Sequence, residues 1–308
     1  MRTKFIFLSG FLFVLGVFSF WQHSLLLALL SVLRNDQGII SPLGRLTGRG
    51  KILGEITTLE TDFDFGSLQN QPGVLARGAY VYDLTLGRII FEKEAHRRLP
   101  AASTIKIVTA AVALDRGSLG EEMTVNWFPT IVGESSMNLG FGEKFSLEEL
   151  LYGLLMVSGN DTAETIAQGI AGKREIFVDW MNQWARKVGA KDTNFTTPSG
   201  LDEEGQYTTA YDLFLFGKEV FNYYPKILKI STTREKYLPK TTGHKAYLLR
   251  NKFLLLDDFP ILAAKPGLGE GGMLSLVALL EKNGRKFLVT LIQTPSLRHD
   301  LEEILKLI

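Results

Sequence analysis

A chain of 308 residues with 45% hydrophobic content can build a sizeable core, as one large domain or two modest ones. Its 34 basic and 33 acidic residues nearly cancel, which removes the electrostatic case for binding nucleic acid. There is no cysteine, so thiol chemistry, disulfides and zinc–thiolate sites are excluded, and His23, His96, His244 and His299 show no metal-ligand spacing.

From Phe5 to Leu33 there is no charged residue, and only Gln22 and His23 are strongly polar. Such a run is long enough to span a bilayer. It ends in Ser-Val-Leu-Arg34 with no Ala-x-Ala cleavage site, so residues 1–33 are expected to be an uncleaved N-terminal anchor. Arg2 and Lys4 on one side compete with Arg34, Arg45, Arg49 and Lys51 on the other, and the charge rule leaves orientation open. Residues 34–75, with Pro42 and Pro72 and no sustained periodicity, read as a juxtamembrane spacer. The folded domain is expected over 76–308.

That domain opens with a hairpin, Gly78–Asp83 and Arg88–Phe91 around Leu84-Thr-Leu-Gly87. Ser103 and Lys106 then begin an apolar helix that stops at Gly117. Ser146-Leu-Glu-Glu149 is a capping box ahead of a leucine stripe, and the helix it starts ends at Ser158-Gly-Asn160. Asp161 with Glu164 reads as the cap of another helix reaching about Ala171, and a further helix is expected from Arg174 to Val188. Pro198-Ser-Gly200 is a turn, and Thr209 to Phe221 is again helical. Ile261–Lys265, Leu274–Leu280 and Lys286–Ile292 are strand-like, the last two joined around Asn283-Gly284, before a final helix of about Leu297–Leu307. Strands at both ends with helices between them predict an α+β domain in which the first hairpin joins the last strands in one antiparallel sheet.

The stretch with chemistry in it is Ser103-Thr-Ile-Lys106. Residues three apart on a helix share a face, so the lysine amine can reach the serine hydroxyl and activate it without a histidine. Taken alone, such a pair is more often a helix N-cap with a surface lysine one turn on. Two later motifs change that balance: Ser158-Gly-Asn160 and Lys265-Pro-Gly267 follow in the order of a known trio, Ser-x-x-Lys, Ser-x-Asn and Lys-Thr-Gly. Decoys exist. Ser136-Met-Asn138 is a second Ser-x-Asn but follows no capped helix. Lys240-Thr-Thr-Gly243 has an extra residue that would put its ends out of phase on a strand. Gly267-Leu-Gly-Glu-Gly-Gly272 matches a dinucleotide pattern but precedes a strand, not a helix.

Over almost all of residues 76–308 the chain resembles the serine D-alanyl-D-alanine carboxypeptidases, the low-molecular-mass penicillin-binding proteins of peptidase family S11. The resemblance rests on the trio and on four stretches: Arg98-Leu-Pro-Ala-Ala-Ser-Thr-Ile-Lys106, Leu155-Met-Val-Ser-Gly-Asn-Asp161, Asn194-Phe-Thr-Thr-Pro-Ser-Gly-Leu201 and Tyr207-Thr-Thr-Ala-Tyr-Asp-Leu213. It implies a β-lactamase/penicillin-binding-protein (transpeptidase-like) fold, an antiparallel sheet flanked by helices with a mostly helical subdomain, so that 76–308 would be a serine peptidase catalytic domain. The implied activity is removal of the terminal D-alanine of peptidoglycan stem peptides through an acyl-enzyme on Ser103. Lys106 would take the Ser103 proton, its pKa lowered by burial beside Lys265. Ser158 would relay the proton to the leaving amine, and the Asn160 amide would orient Lys106 and the substrate backbone. The backbone N–H groups of Ser103 and Leu268 would hold the oxyanion, and the strand edge at Gly267 and Leu268 would align the peptide.

No cofactor or metal is implied; β-lactams are the implied covalent inhibitors. Because the implied substrate is cell-wall peptide, residues 34–308 are expected outside the cytoplasmic membrane. The chain departs from the family in one motif, where Pro266 replaces a threonine whose hydroxyl helps bind the substrate's terminal carboxylate, leaving Lys265 as the main cation. Gln206 stands where histidine is common, a change expected to be minor. The family's C-terminal β-domain is also expected to be absent. Two alternatives stay open, a D,D-endopeptidase on crosslinks, which needs no free carboxylate, and a degenerate non-catalytic peptidoglycan-binding protein. A β-lactamase is less favoured, since the 190–205 loop offers no Glu-x-x-Leu-Asn element.

Overall fold

The computed structural model describes residues 72–201 and 203–308. The expected anchor and most of the spacer lie outside the described residues. Among the described residues no helix is long and apolar enough to cross a membrane.

In chain order, β1 (Gly78–Asp83) and β2 (Arg88–Lys93) form the first hairpin. Asp83 closes it, its carboxylate accepting the N–H groups of Thr85 and Leu86 at 2.9 Å each. A 3-10 turn, Ala102–Ile105, runs straight into α1 (Lys106–Arg116), which is buried from Lys106 to Ala113. A helix that is apolar on nearly every side over Ile107–Leu114 belongs in the centre of a molecule, and α1 occupies that place. β3 (Glu122–Thr124), α2 (Trp127–Ile131) and β4 (Lys144–Ser146) make a small unit beside it. α3 (Leu147–Met156) starts at the expected capping box, with both reciprocal Ser146–Glu149 bonds present.

α4 (Asn160–Ala171) ends at Gly172, whose φ of 73° is the left-handed conformation glycine adopts at little cost. α5 (Arg174–Lys187) follows, and then α6 (Ala210–Tyr223), where the Thr209 hydroxyl accepts from the Asp212 N–H. α7 (Pro225–Ser231) leads to a second small hairpin, β5 (Glu235–Leu238) with β6 (Tyr247–Arg250). Finally come β7 (Ile261–Leu268), β8 (Leu274–Lys282), β9 (Arg285–Thr294) and α8 (Leu297–Leu305). Asn283 and Gly284 both have positive φ, 54° and 72°, as a two-residue hairpin turn matched to strand twist requires.

The main sheet has the order β2-β1-β9-β8-β7 and is antiparallel throughout, so the N-terminal hairpin does join the C-terminal strands. Period-2 alternation divides its side chains between two cores. Leu288 and Ile292 of β9 face the layer built by α1, α3 to α6 and their neighbours, whereas Phe287, Val289 and Leu291 face the layer with Phe253, Phe259 and α8. Gly217 lets α6 lie close on the sheet, since a Cβ there would stand 2.8 Å from a Val277 methyl.

Three expectations need correction. Both small two-stranded sheets, β3 with β4 and β5 with β6, are absent from the expected elements, because strands of three or four residues are too short for alternation to register. The strand expected at Ile261–Lys265 continues to Leu268, which carries Lys265-Pro-Gly267 inside the ladder. Asp161 does not cap α4. It is the second residue of that helix, and its carboxylate accepts from Met137 N–H, Leu139 N–H and the Ser136 hydroxyl, stitching the 136–139 loop to it.

Candidate active site

The site forms where the 3-10 turn, the start of α4 and the edge strand β7 meet. Ser103 lies in the 3-10 turn and Lys106 is the first residue of α1, so the pair sits at the change of helical pitch and not within an α-turn. Its reach is as expected: Lys106 Nζ is 2.7 Å from Ser103 Oγ. Ala102, just ahead of the serine, has a φ of 49°, and Ser158 has a φ of 60°. Strained non-glycine residues of this kind persist where surrounding structure holds them, commonly at functional sites.

Lys106 has no solvent exposure. Its amine also meets Asn160 Oδ1 at 2.7 Å and the Ser199 carbonyl at 2.6 Å. Burial, then the nearby charge of Lys265, push the Lys106 pKa well below the ordinary lysine value. A neutral amine has two N–H groups and one lone pair. Two of the three partners are carbonyl oxygens that can only accept; the third, the Ser103 hydroxyl, can donate. Neutral Lys106 therefore spends its N–H groups on Asn160 and Ser199 and turns its lone pair to Ser103.

The Ser199 carbonyl escaped sequence reasoning, which saw Pro198-Ser-Gly200 only as a turn. Its position is closely determined. Gly200 has a φ of 83°, and a Cβ there would stand 2.3 Å from the Ala102 carbonyl oxygen. Thr109 of α1 donates to the Pro198 carbonyl at 2.6 Å. Gln206, expected to be a minor difference, braces the same turn: its Oε1 accepts from Thr197 N–H at 3.0 Å, and its Nε2 donates to the Leu201 carbonyl.

Asn160 is buried, and its Nδ2 donates to the Gly133 carbonyl at 3.0 Å while its backbone N–H donates to the Ser135 carbonyl at 2.7 Å. One turn along α4, the buried Glu164 has Arg174 Nε at 3.2 Å from each oxygen, aimed so that only Oε1 is hydrogen-bonded. Arg174 also binds Glu203 at 2.8 Å, so one guanidinium joins the Asn160 helix to the loop that follows Ser199.

Lys265, 1% exposed, donates to Ser158 Oγ at 2.9 Å and to the Pro266 carbonyl at 2.7 Å. Burial first, and then the charge of Lys252, push its pKa down to about 7. β7 is the edge of the sheet. In an antiparallel ladder a residue's N and C=O turn the same way, so Pro266, whose carbonyl takes the Lys265 amine, faces the open edge, where its missing N–H breaks no ladder bond. By the same alternation Leu268 N–H faces outward too. Between them Gly267 lies against the nucleophile turn; a Cβ there would be 3.0 Å from both the Ala101 carbonyl oxygen and Ser103 N.

The structure thus brings Ser103, Lys106, Ser158, Asn160, Lys265, Gly267 and Leu268 to one place. The decoys fall elsewhere: Ser136 donates to Asp161 at 2.6 Å, Lys240 to Gly243 lie in the turn between β5 and β6, and no helix follows Gly267–Gly272. Phe177 and Trp184 are core residues, and Thr208 bonds Thr193 at 2.7 Å.

A partly accessible serine bonded to a buried lysine, on a turn against an antiparallel sheet edge, defines the serine–lysine class of penicillin-recognising folds. Within that class the chain belongs to the peptidase S11 family, D-alanyl-D-alanine carboxypeptidase, whose family model matches residues 66–295. It is 34% identical to D-alanyl-D-alanine carboxypeptidase DacF of Bacillus subtilis over 185 residues, 58% of this chain and 47% of that one. It is 32% identical to D-alanyl-D-alanine carboxypeptidase DacC of Escherichia coli over 218 residues, 67% of this chain and 54% of that one. The chain therefore spans about half the length of these curated relatives. A crystal structure of a D-alanyl-D-alanine carboxypeptidase from Mycobacterium tuberculosis superposes with a TM-score of 0.70 at 27% identity, covering 77% of this chain and 91% of that one.

Proposed function

We propose that this protein is a serine D-Ala-D-Ala carboxypeptidase that removes the terminal D-alanine of peptidoglycan stem peptides. The observation that carries the reading is the Lys106 amine, buried, held by two obligate acceptors, and 2.7 Å from the Ser103 hydroxyl. Ser103 Oγ attacks the carbonyl carbon of the penultimate D-alanine as its proton passes to Lys106. The oxyanion is received by Ser103 N–H and Leu268 N–H. As the C–N bond breaks, the leaving amine takes a proton through Ser158, which Lys265 holds at 2.9 Å. Water then hydrolyses the ester on Ser103. β-Lactams acylate the same oxygen.

The uncharged run from Phe5 to Leu33 supports a membrane anchor, with residues 34–308 outside the cytoplasmic membrane. Pro266 favours a second reading, a D,D-endopeptidase on crosslinks, because the motif lacks the threonine hydroxyl that would join Lys265 in binding a free carboxylate. Incubating the full-length protein and its Ser103→Ala variant with pentapeptide and with crosslinked muropeptides separates the two. Ser103-dependent loss of one alanine supports the carboxypeptidase, and conversion of dimers to monomers the endopeptidase. No change in either substrate sinks both and leaves a binding protein.

A further inference from the structure

A groove apart from the active site opens between the C-terminal halves of α1 and α5. The buried Val112 and Trp184 line its inner part, while Asp115, Arg116, Gln183 and Lys187 are exposed around it, so it is open to solvent. Its volume is about 170 Å³. A cavity of about 150 Å³ takes up one six-membered ring, so the groove has room for a ring of that size. Arg116 is the last residue of α1 and Lys106 the first, which at a rise of 1.5 Å per residue sets the groove about 15 Å along the helix from the catalytic lysine.

The lining joins aromatic surface to donors and acceptors of both signs. The Arg116 guanidinium lies over the Trp180 ring, 4.6 Å from its centroid, so its planar fork is held in place. Asp115 is fixed by Tyr224, whose hydroxyl donates to Oδ1 at 2.8 Å and leaves Oδ2 for another donor. Among the described residues the Gln183 carboxamide and the Lys187 amine have no hydrogen-bond partner, and neither Arg116 nor Lys187 is paired with a carboxylate.

Basic residues in the last turn of a helix ordinarily offset its negative end, and Arg116 and Lys187 both hold such positions. That accounts for their charge. It does not account for the stacked guanidinium, the fixed carboxylate and the open carboxamide gathered with them. The same helix ends, together with Asp115, bring negative potential to the groove and disfavour an anion there. Mixed donors and acceptors beside indole surface suit a neutral ligand that carries hydroxyl and amide groups on a ring with an apolar face.

We propose that the groove between α1 and α5 is a carbohydrate-binding site that takes one N-acetylated amino-sugar ring of the glycan from which stem peptides hang. The inference rests on the carboxypeptidase reading for the identity of the polymer and goes beyond it in giving the domain a second hold on that polymer. A site about 15 Å from Lys106 along a rigid helix leaves the catalytic cleft free while it is filled. Arg116 and Lys187 donate to ring substituents, Asp115 accepts from a hydroxyl, and Gln183 pairs with the acetamido group.

The test titrates the full-length Ser103→Ala protein, in which turnover plays no part, with chitotetraose, a soluble oligomer of N-acetylglucosamine, and separately with inorganic phosphate. Tryptophan fluorescence and calorimetry follow binding. The sugar is expected to bind and phosphate is not. Arg116→Ala with Gln183→Ala should weaken the sugar about tenfold, as expected for the loss of two hydrogen-bonding groups, and Gln183→Ala alone should give part of that loss. Lys240→Ala, in the turn between β5 and β6, should change nothing. With Ser103 intact, the Arg116 and Gln183 pair of changes should slow alanine release from limiting amounts of intact wall polymer several-fold and leave release from a free pentapeptide unchanged. No binding of the sugar, binding that the two changes leave intact, phosphate taking the groove in its place, or an equal loss on the free pentapeptide would each overturn the proposal. If the wild-type protein releases no alanine from either substrate, the carboxypeptidase reading fails, while the sugar titration still decides the groove.

Discussion

Lys106 and Ser199 stand 93 positions apart in the chain, and the amine of one donates to the carbonyl of the other at 2.6 Å. That contact turns a lysine into a directed base. With Asn160 Oδ1 it occupies both N–H groups of the neutral amine, and the lone pair is left for Ser103.

Gly200 fixes that carbonyl, so Gly200→Ala should act on chemistry as well as stability. A left-handed alanine costs about 1–2 kcal/mol in backbone strain, before any shift forced by the Ala102 oxygen. The expected result is a lower Tm together with slower acylation by a fluorescent penicillin. Unchanged acylation in a folded variant would show that Ser199 is dispensable for orienting Lys106.

Gly267→Ala tests the oxyanion position. The added methyl would crowd Ser103 N and the Ala101 carbonyl at 3.0 Å, where something must give by a few tenths of an ångström. Displacing one oxyanion donor typically costs about 100- to 1,000-fold in kcat. Peptide hydrolysis should fall on that scale, with circular dichroism unchanged. A fall confined to KM would place the oxyanion elsewhere.

Lys265 links pH to binding. Its pKa, lowered to about 7, means that the ammonium is present below neutrality and is lost as pH rises through that value. KM for a peptide acid should accordingly rise above pH 7, in step with loss of the positive charge. Lys265→Arg, which stays charged, should flatten the rise. A KM that is level from pH 6 to 9 in the wild-type protein would contradict this.

Glu164 predicts a pH dependence of folding. Burial, partly offset by Arg174, raises its pKa from 4.5 to about 7. The folded state then binds this proton more tightly than the unfolded chain, so the stabilisation is complete below pH 4.5 and is lost as pH rises through about 7. The difference is on the order of 3 kcal/mol. Urea denaturation at pH 5 and pH 8 should show it in the wild-type protein and much less of it in Glu164→Gln; equal slopes for the two proteins would remove Glu164 as the cause.

Much of this molecule follows from local pattern. The Ser103–Lys106 spacing, the capping box at Ser146–Glu149, the Asn283-Gly284 turn and the apolar α1 all depend on residues within a few positions of one another, where helical and strand periods act directly. The order of strands and helices also predicts that the first hairpin and the last strands share one antiparallel sheet. What tertiary structure alone decides are the partners brought from afar: the Ser199 carbonyl on Lys106, Gln206 beneath that turn, and Asp161 turned to the 136–139 loop. Backbone carbonyls leave no mark in a sequence. Contacts across dozens of residues carry no period, so the neutral state of Lys106, set by burial and the charge of Lys265, and the aim of its lone pair, set by these distant oxygens, arise only when the chain has closed around it.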